Sequence, residues 1–239
     1  MKIEGQDNTG YKVSFKDCLI DDRKNFNYSS CILPISVGQP VHNGIKFQNT
    51  LEYIIECFSS CCILVDDTIQ KYTLAIINEL SPQECYKEAK HNGDKWLMDN
   101  AGLFIKKFYS KLKIIRWNYW LGHHNFYYKY EDVISLYKND SYYREAFAHT
   151  SKEFISRLKK SHTISDENRA FDLCIEYLKE ECAVMCLWAD SGFEFEVYPY
   201  GRNAAMEATY NKIIKNQYPS MLKSVSLRFK KRNSVGALQ

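Results

Sequence analysis

CILPISVGQPVHNGIKFQNTLEYIIECFSSCCILV, residues 31–65, reads as strand, loop, helix and strand in succession. The run 31–36 (CILPIS) is apolar up to Ser36. It gives way to VGQPVHNG, whose Gly, Pro and Asn must form a loop. Residues 45–58 place apolar side chains at helical spacing, and 61–65 (CCILV) is a second buried strand. Two strands joined through a helix form a β-α-β unit, which makes them parallel neighbours in one sheet. Working outward, 112–116 (LKIIR), 193–198 (FEFEVY) and 224–229 (SVSLRF) complete a set of five strands. Helical patterns cover 68–80, with Asp66 and Asp67 as N-cap candidates, then 83–109, 130–138, 141–161, 165–190 and 203–217. The fold class expected is α/β, a mostly parallel five-stranded sheet covered by helices on both faces. No repeat or linker interrupts 1–239, so one domain is expected, with a flexible basic tail over about 230–239. In such sheets ligands bind beyond the carboxyl ends of the strands.

The composition narrows the class. A 45% hydrophobic content, with 18 Tyr, 13 Phe and 4 Trp, is enough for one sizeable core. Ten Gly and five Pro argue against a loop-rich chain. The first residues carry no apolar leader core, and no run approaches the roughly 20 apolar residues of a membrane span. A cytoplasmic chain with no membrane partner is therefore expected. Nine cysteines, an odd number without paired C-x-x-C knuckles, read as reduced and mostly buried, with no metal. The net charge of +3 is unevenly spread. No acid occurs between Ala101 and Tyr130 or from Ala208 onward, and lysines and arginines recur in both stretches. Such segregation suits a polyanion-binding face, although solvated helix faces would look the same.

Three constellations fall at strand ends or helix faces. Ser36 closes a strand where the backbone N–H groups of Val37 and Gly38 lie close, as an acyl-accepting nucleophile needs. On residues alone, a serine that merely ends a strand is the plainer reading. Tyr177 and Glu181, spaced i, i+4, share one helix face that runs into the apolar CAVMCLW. That carboxylate could bind an ammonium or transfer protons, or be a surface charge like its neighbours Glu176 and Glu180. Tyr198-Pro199-Tyr200-Gly201 ends a strand, where Tyr198 would point toward Ser36 and Pro199 stops the ladder, or the tyrosine is a turn aromatic. Walker, G-x-G-x-x-G and H-E-x-x-H motifs are absent.

Taken in order, ISVGQPVHNG, ILVDDTIQKYTL, GDKWLMDN, IIRWNYW, the Tyr177/Glu181 pair and Tyr198-Pro199 resemble the cyclodipeptide synthases over most of the chain. Gln39 and Tyr198-Pro199 look like the branch of that family with Tyr-Pro. The resemblance implies a Rossmann-like domain similar to class I aminoacyl-tRNA synthetase catalytic domains. The HIGH and KMSKS signatures of those enzymes are missing, so no ATP and no cofactor are expected. Two aminoacyl-tRNAs are the implied substrates of a ping-pong transfer through a Ser36 ester to a diketopiperazine. Tyr177 and Glu181 would hold the α-amino group and Tyr198 would relay protons. Tyr127 is chosen over Tyr128 and Tyr130 as a further contact to the aminoacyl group. Apolar residues near Ile32, Pro34, Val65 and Met185–Leu187 would line the first side-chain pocket, beside Gln39 and Pro199. Lys87, Lys90, Lys95, Lys106 and Lys107 would meet tRNA, with no DNA partner and a monomer as the default. The rivals are another serine acyltransferase, for which His42 is the histidine nearest the serine loop, and a non-catalytic tRNA-binding relative of a synthetase domain.

Overall fold

The computed structural model describes residues 10–16, 18–78, 80–105 and 110–231. In chain order the first half holds β1 (Tyr11–Lys16), α1 (Ile20–Asn25), β2 (Ser30–Ser36), α2 (Gly44–Cys57), β3 (Ser60–Asp66), α3 (Lys71–Ile77), α4 (Pro82–Ile105) and β4 (Leu112–Arg116). The second half holds α5 (Trp117–Leu121), α6 (Phe126–Asn139), α7 (Ser141–Leu158), α8 (Glu167–Asp190), β5 (Phe195–Tyr198), α9 (Ala204–Thr209), α10 (Lys215–Gln217) and β6 (Lys223–Lys231). A π-helical turn over Tyr210–Ile214 joins α9 to α10. The strands form one sheet in the order β1-β6-β5-β2-β3-β4. Every neighbouring pair is parallel except β1 with β6.

Among the described residues the sheet therefore has six strands where five were expected. The extra one, YKVSFK, alternates apolar residues with the polar Lys12, Ser14 and Lys16, and only its Val13 and Phe15 are buried beside β6. An edge strand with one wet face lacks the continuous apolar run that marks the central strands. Helix α6 starts at Phe126, ahead of the expected 130. The predicted C-terminal tail beyond Lys231 and the end of α4 beyond Ile105 lie outside the described residues.

Strand alternation divides the core in two. Leu33, Ile35, Ile63 and Val65 point to one face, where they pack with Phe47, Leu51 and Ile54 of α2 and Trp96 of α4. Ile32, Cys62 and Leu64 point to the other, against α5 to α9, with Trp117, Trp120, Tyr143, Phe147 and Trp188. A slip of one residue in β2 or β3 would exchange these two sets, so burial on both faces specifies the register. That register sets Ser36 opposite Asp66 at the carboxyl end of the sheet. All nine cysteines are free, seven of them buried. No helix among the described residues is long and apolar enough to cross a membrane.

Candidate active site

At the carboxyl ends of β2, β3 and β5 a cleft of about 470 Å³ opens toward α7 and α8. Ser36, Asp66, Tyr177, Glu181, Glu196 and Tyr198 all line it. Ser36 Oγ lies 2.9 Å from the Tyr198 hydroxyl. The serine's backbone is held by its turn. Its carbonyl accepts from the Gln39 N–H at 3.1 Å and meets His42 Nδ1 at 3.3 Å. Gly38 takes φ +90° within that turn, a conformation that a side chain would strain. The carbonyl of His42 in turn accepts from Trp96 Nε1 at 2.8 Å. Burial lowers the His42 pKa to about 4, so the ring is neutral at pH 7. It contacts the serine's main chain rather than its hydroxyl, which removes the base that an esterase reading would need.

Tyr177 donates to Glu181 Oε1 at 3.3 Å, as the i, i+4 spacing anticipates. Burial raises Glu181 to about 7, opposed by Tyr177 and Asn203, which stabilise its anion. Burial likewise raises Tyr198 to about 12, with its bond to Ser36 pulling the other way. Beside these groups Glu196 and Arg202 form a pair at 2.7 Å, each side chain only 3% exposed. Arg202 also donates to the Leu222 carbonyl and covers the Tyr210 ring at 4.3 Å.

Several expectations need correction. Pro34 and Gln39 line the cleft, but Ile32, Val65, Met185, Leu187 and Pro199 do not. Val65 faces α2 because it neighbours Ile35, one residue out of phase with Ser36. Ile32, Met185 and Leu187 are sealed within the core. The apolar wall is instead built by Trp117, Phe154, Leu158, Leu178, Trp188 and Met206. Tyr127 is 65% exposed on α6 and outside the cleft; Tyr128 is exposed too, and Tyr130 donates to Glu176. Glu180 is not a surface charge. It is 6% exposed and takes hydrogen bonds from Trp117 Nε1, Lys71 and Tyr72. Of the two aspartates offered as N-caps, Asp67 accepts from the Thr68 N–H, while Asp66 turns into the cleft. Lys87, Lys90 and Lys95 are exposed along α4, whereas Lys106 and Lys107 lie outside the described residues. Among the described residues no group of three or more His, Cys, Asp or Glu could hold a metal ion.

The chain superposes on the structure of a cyclodipeptide synthase from Fluoribacter dumoffii with a TM-score of 0.89, at 39% identity over 94% of this chain and 100% of that one. The chain belongs to the cyclodipeptide synthase family. No family model matches it, and no curated protein does. A cyclodipeptide synthase from Candidatus Glomeribacter gigasporarum, solved bound to Phe-tRNAPhe, shares the fold at 16% identity and TM-score 0.70, over 87% of this chain and 91% of its own. Tyrosyl-tRNA synthetase from Archaeoglobus fulgidus, complexed with L-tyrosine, matches 84% of this chain and 54% of its own, at 12% identity and TM-score 0.52. The α/β fold is thus that of class I synthetase catalytic domains. In this cyclodipeptide synthase the cleft residues that the sequence did not assign to the site are Asp66, Glu196, Arg202 and the α7 wall. An arginine four residues past Tyr198 and six past Glu196 was the available signal for the buried ion pair.

Proposed function

We propose that the cleft joins two aminoacyl groups, each delivered as a tRNA ester, through an acyl intermediate on Ser36. The observation that carries this is the contact of Ser36 Oγ with Tyr198 OH in a cleft that also presents the Tyr177–Glu181 pair. Ser36 attacks the first ester and retains the aminoacyl group, releasing the tRNA hydroxyl. Tyr177 and Glu181 receive its α-amino group, which attacks the second aminoacyl ester. The amine of the resulting dipeptidyl ester then attacks the Ser36 ester carbonyl, closing the six-membered ring and freeing the serine. Tyr198, in contact with Oγ, carries the proton to and from it. A cleft of this volume is in the range that encloses small substrates, and its walls mix apolar side chains with many polar and charged ones.

Gln39 and Tyr198-Pro199 support reading the chain as a member of the Tyr-Pro branch of the family. The tRNA is met by the exposed lysines 87, 90 and 95 of α4, since phosphate contacts supply most sequence-independent affinity. The Phe-tRNA complex of the Candidatus Glomeribacter gigasporarum relative supports that class of partner. The test is expression in a bacterium with mass spectrometry of the medium. Wild type yields diketopiperazines and Ser36→Ala yields none; product that persists in the variant refutes the role of Ser36.

A further inference from the structure

The cleft holds more negative groups than its own cations can neutralise. Asp66, Glu181 and Glu196 line it, and among the described residues Arg157 and Arg202 are the cations that do so. Arg202 is committed to Glu196, and Arg157 sits over Phe154 on α7. Asp66 is 8% exposed, and its Oδ1 has no hydrogen-bond partner among the described residues. Glu181 Oε2 is in the same condition. A buried carboxylate oxygen without a partner costs folding energy, so two such oxygens lining one cleft call for a compensating ligand. Asp66 is also the register partner of Ser36. The two side chains stand on the same face of adjacent parallel strands, where backbones lie about 4.8 Å apart.

We propose that Asp66 and Glu181 work as a pair that shares one proton in the free enzyme and accepts the proton that the aminoacyl ammonium must lose before it attacks the second ester. This rests on the reading of Ser36 as the aminoacyl carrier. Two carboxylates in a buried site resist ionising together, so one proton is retained between them. Burial and the charge of Glu181 both raise Asp66 well above the carboxylate range, with Asp67 and Glu196 adding to the effect. The other groups facing the pair are Tyr177 of α8 and Tyr198 of β5, both kept protonated by burial and by these carboxylates. Asp67 is answered by Arg116 from β4 and does not compete for the ammonium.

The proton count balances. Docking of the ammonium supplies the cation that lets the pair release its resting proton to solvent. Transfer of one N–H proton then returns the pair to its one-proton state and leaves a neutral amine. The amine lone pair forms the C–N bond, the ester C–O bond to tRNA breaks, and the second N–H proton leaves on the tRNA hydroxyl. The same cycle serves the dipeptidyl amine in ring closure, where the leaving oxygen is that of Ser36. Asp66 thus acts through Glu181, as a positioning and proton-holding residue.

The test uses the whole chain with bacterial tRNA charged with labelled amino acids, scoring the Ser36 adduct by intact mass and the cyclic product across pH 6 to 9. Asp66→Asn is expected to form the adduct at the wild-type level and to lose product formation at least about tenfold near pH 7. It should recover as pH rises past about 8, where an α-amine loses its proton unaided. Asp66→Ser, scored the same way, covers poor folding of the first variant. Wild-type rates with an unchanged pH profile in either folded variant overturn the proposal, as does loss of the adduct with the fold intact. Absence of the adduct from the wild-type protein instead overturns the acyl-carrier reading beneath it.

Discussion

Replacing Arg202 by Met withdraws the cation from Glu196 in the cleft wall while keeping much of the side-chain volume. Both partners are 3% exposed and their charged atoms stand 2.7 Å apart. Removing one member of a buried pair strands the other charge, which costs about 3–5 kcal/mol. The lost donation to Leu222 and the lost cover over Tyr210 belong to that same figure, because truncation values already include such contacts. For a domain of this size each kcal/mol moves the melting temperature by about 2–4 °C, so Arg202→Met is expected to melt roughly 6–20 °C lower. Urea titration followed by far-UV circular dichroism should show the midpoint falling at constant slope. The double variant Glu196→Gln with Arg202→Met has no stranded charge, and should recover most of the loss. A single variant within about 1 kcal/mol of wild type, or a double variant as unstable as the single, refutes the buried-pair reasoning.

Gly93 of α4 crosses Asp67 so closely that an added Cβ would stand 2.5 Å from Asp67 Cβ and Oδ2 and 3.0 Å from Arg116 Nη2. Helix propensity favours Ala there by about 1 kcal/mol, but overpacking against a clamped aspartate costs about 1–3 kcal/mol. Gly93→Ala should therefore be less stable by thermal melting, and an unchanged or higher midpoint would show that the crossing has slack. Glu181, raised by burial from 4.5 to about 7, binds its proton more tightly folded than unfolded. Its contribution is full below pH 4.5 and is lost as pH rises through about 7. Glu181→Gln should flatten that decline in denaturant midpoints across the window, and a decline as steep as in wild type would contradict the shift.

The central strands were legible because β-branched and apolar residues run continuously where a strand is buried on both faces. The same rule hid β1, whose outward residues are the polar Lys12, Ser14 and Lys16. That Ser36, Tyr177, Glu181 and Tyr198 share one cleft was legible because a strand end or an i, i+4 spacing marks each one locally. The side-chain pocket could not. Val65 and Asp66 differ by one place, and only the pairing of Ser36 with Asp66 decides which of them faces the cleft. Glu180 and Glu181 differ by one place on a helix, about 100° apart, and it takes Trp117 arriving from α5 to show that Glu180 is buried while Glu181 lines the cleft. The wall from α7 comes from helix packing that no local pattern announces.

Trp96 ties α4 to the carbonyl of His42, and His42 ties that loop to the carbonyl of Ser36. The Ser36 backbone is therefore two hydrogen bonds from the helix that carries Lys87, Lys90 and Lys95 on its outer side. The helix cannot be re-phased independently of the serine. One residue inserted between Lys90 and Trp96 would turn the indole away by about 100° while leaving Lys87 and Lys90 where they are. The spacing along α4 from its outer lysines to its inner tryptophan is thus a ruler whose length must be kept for Ser36 to keep its aim.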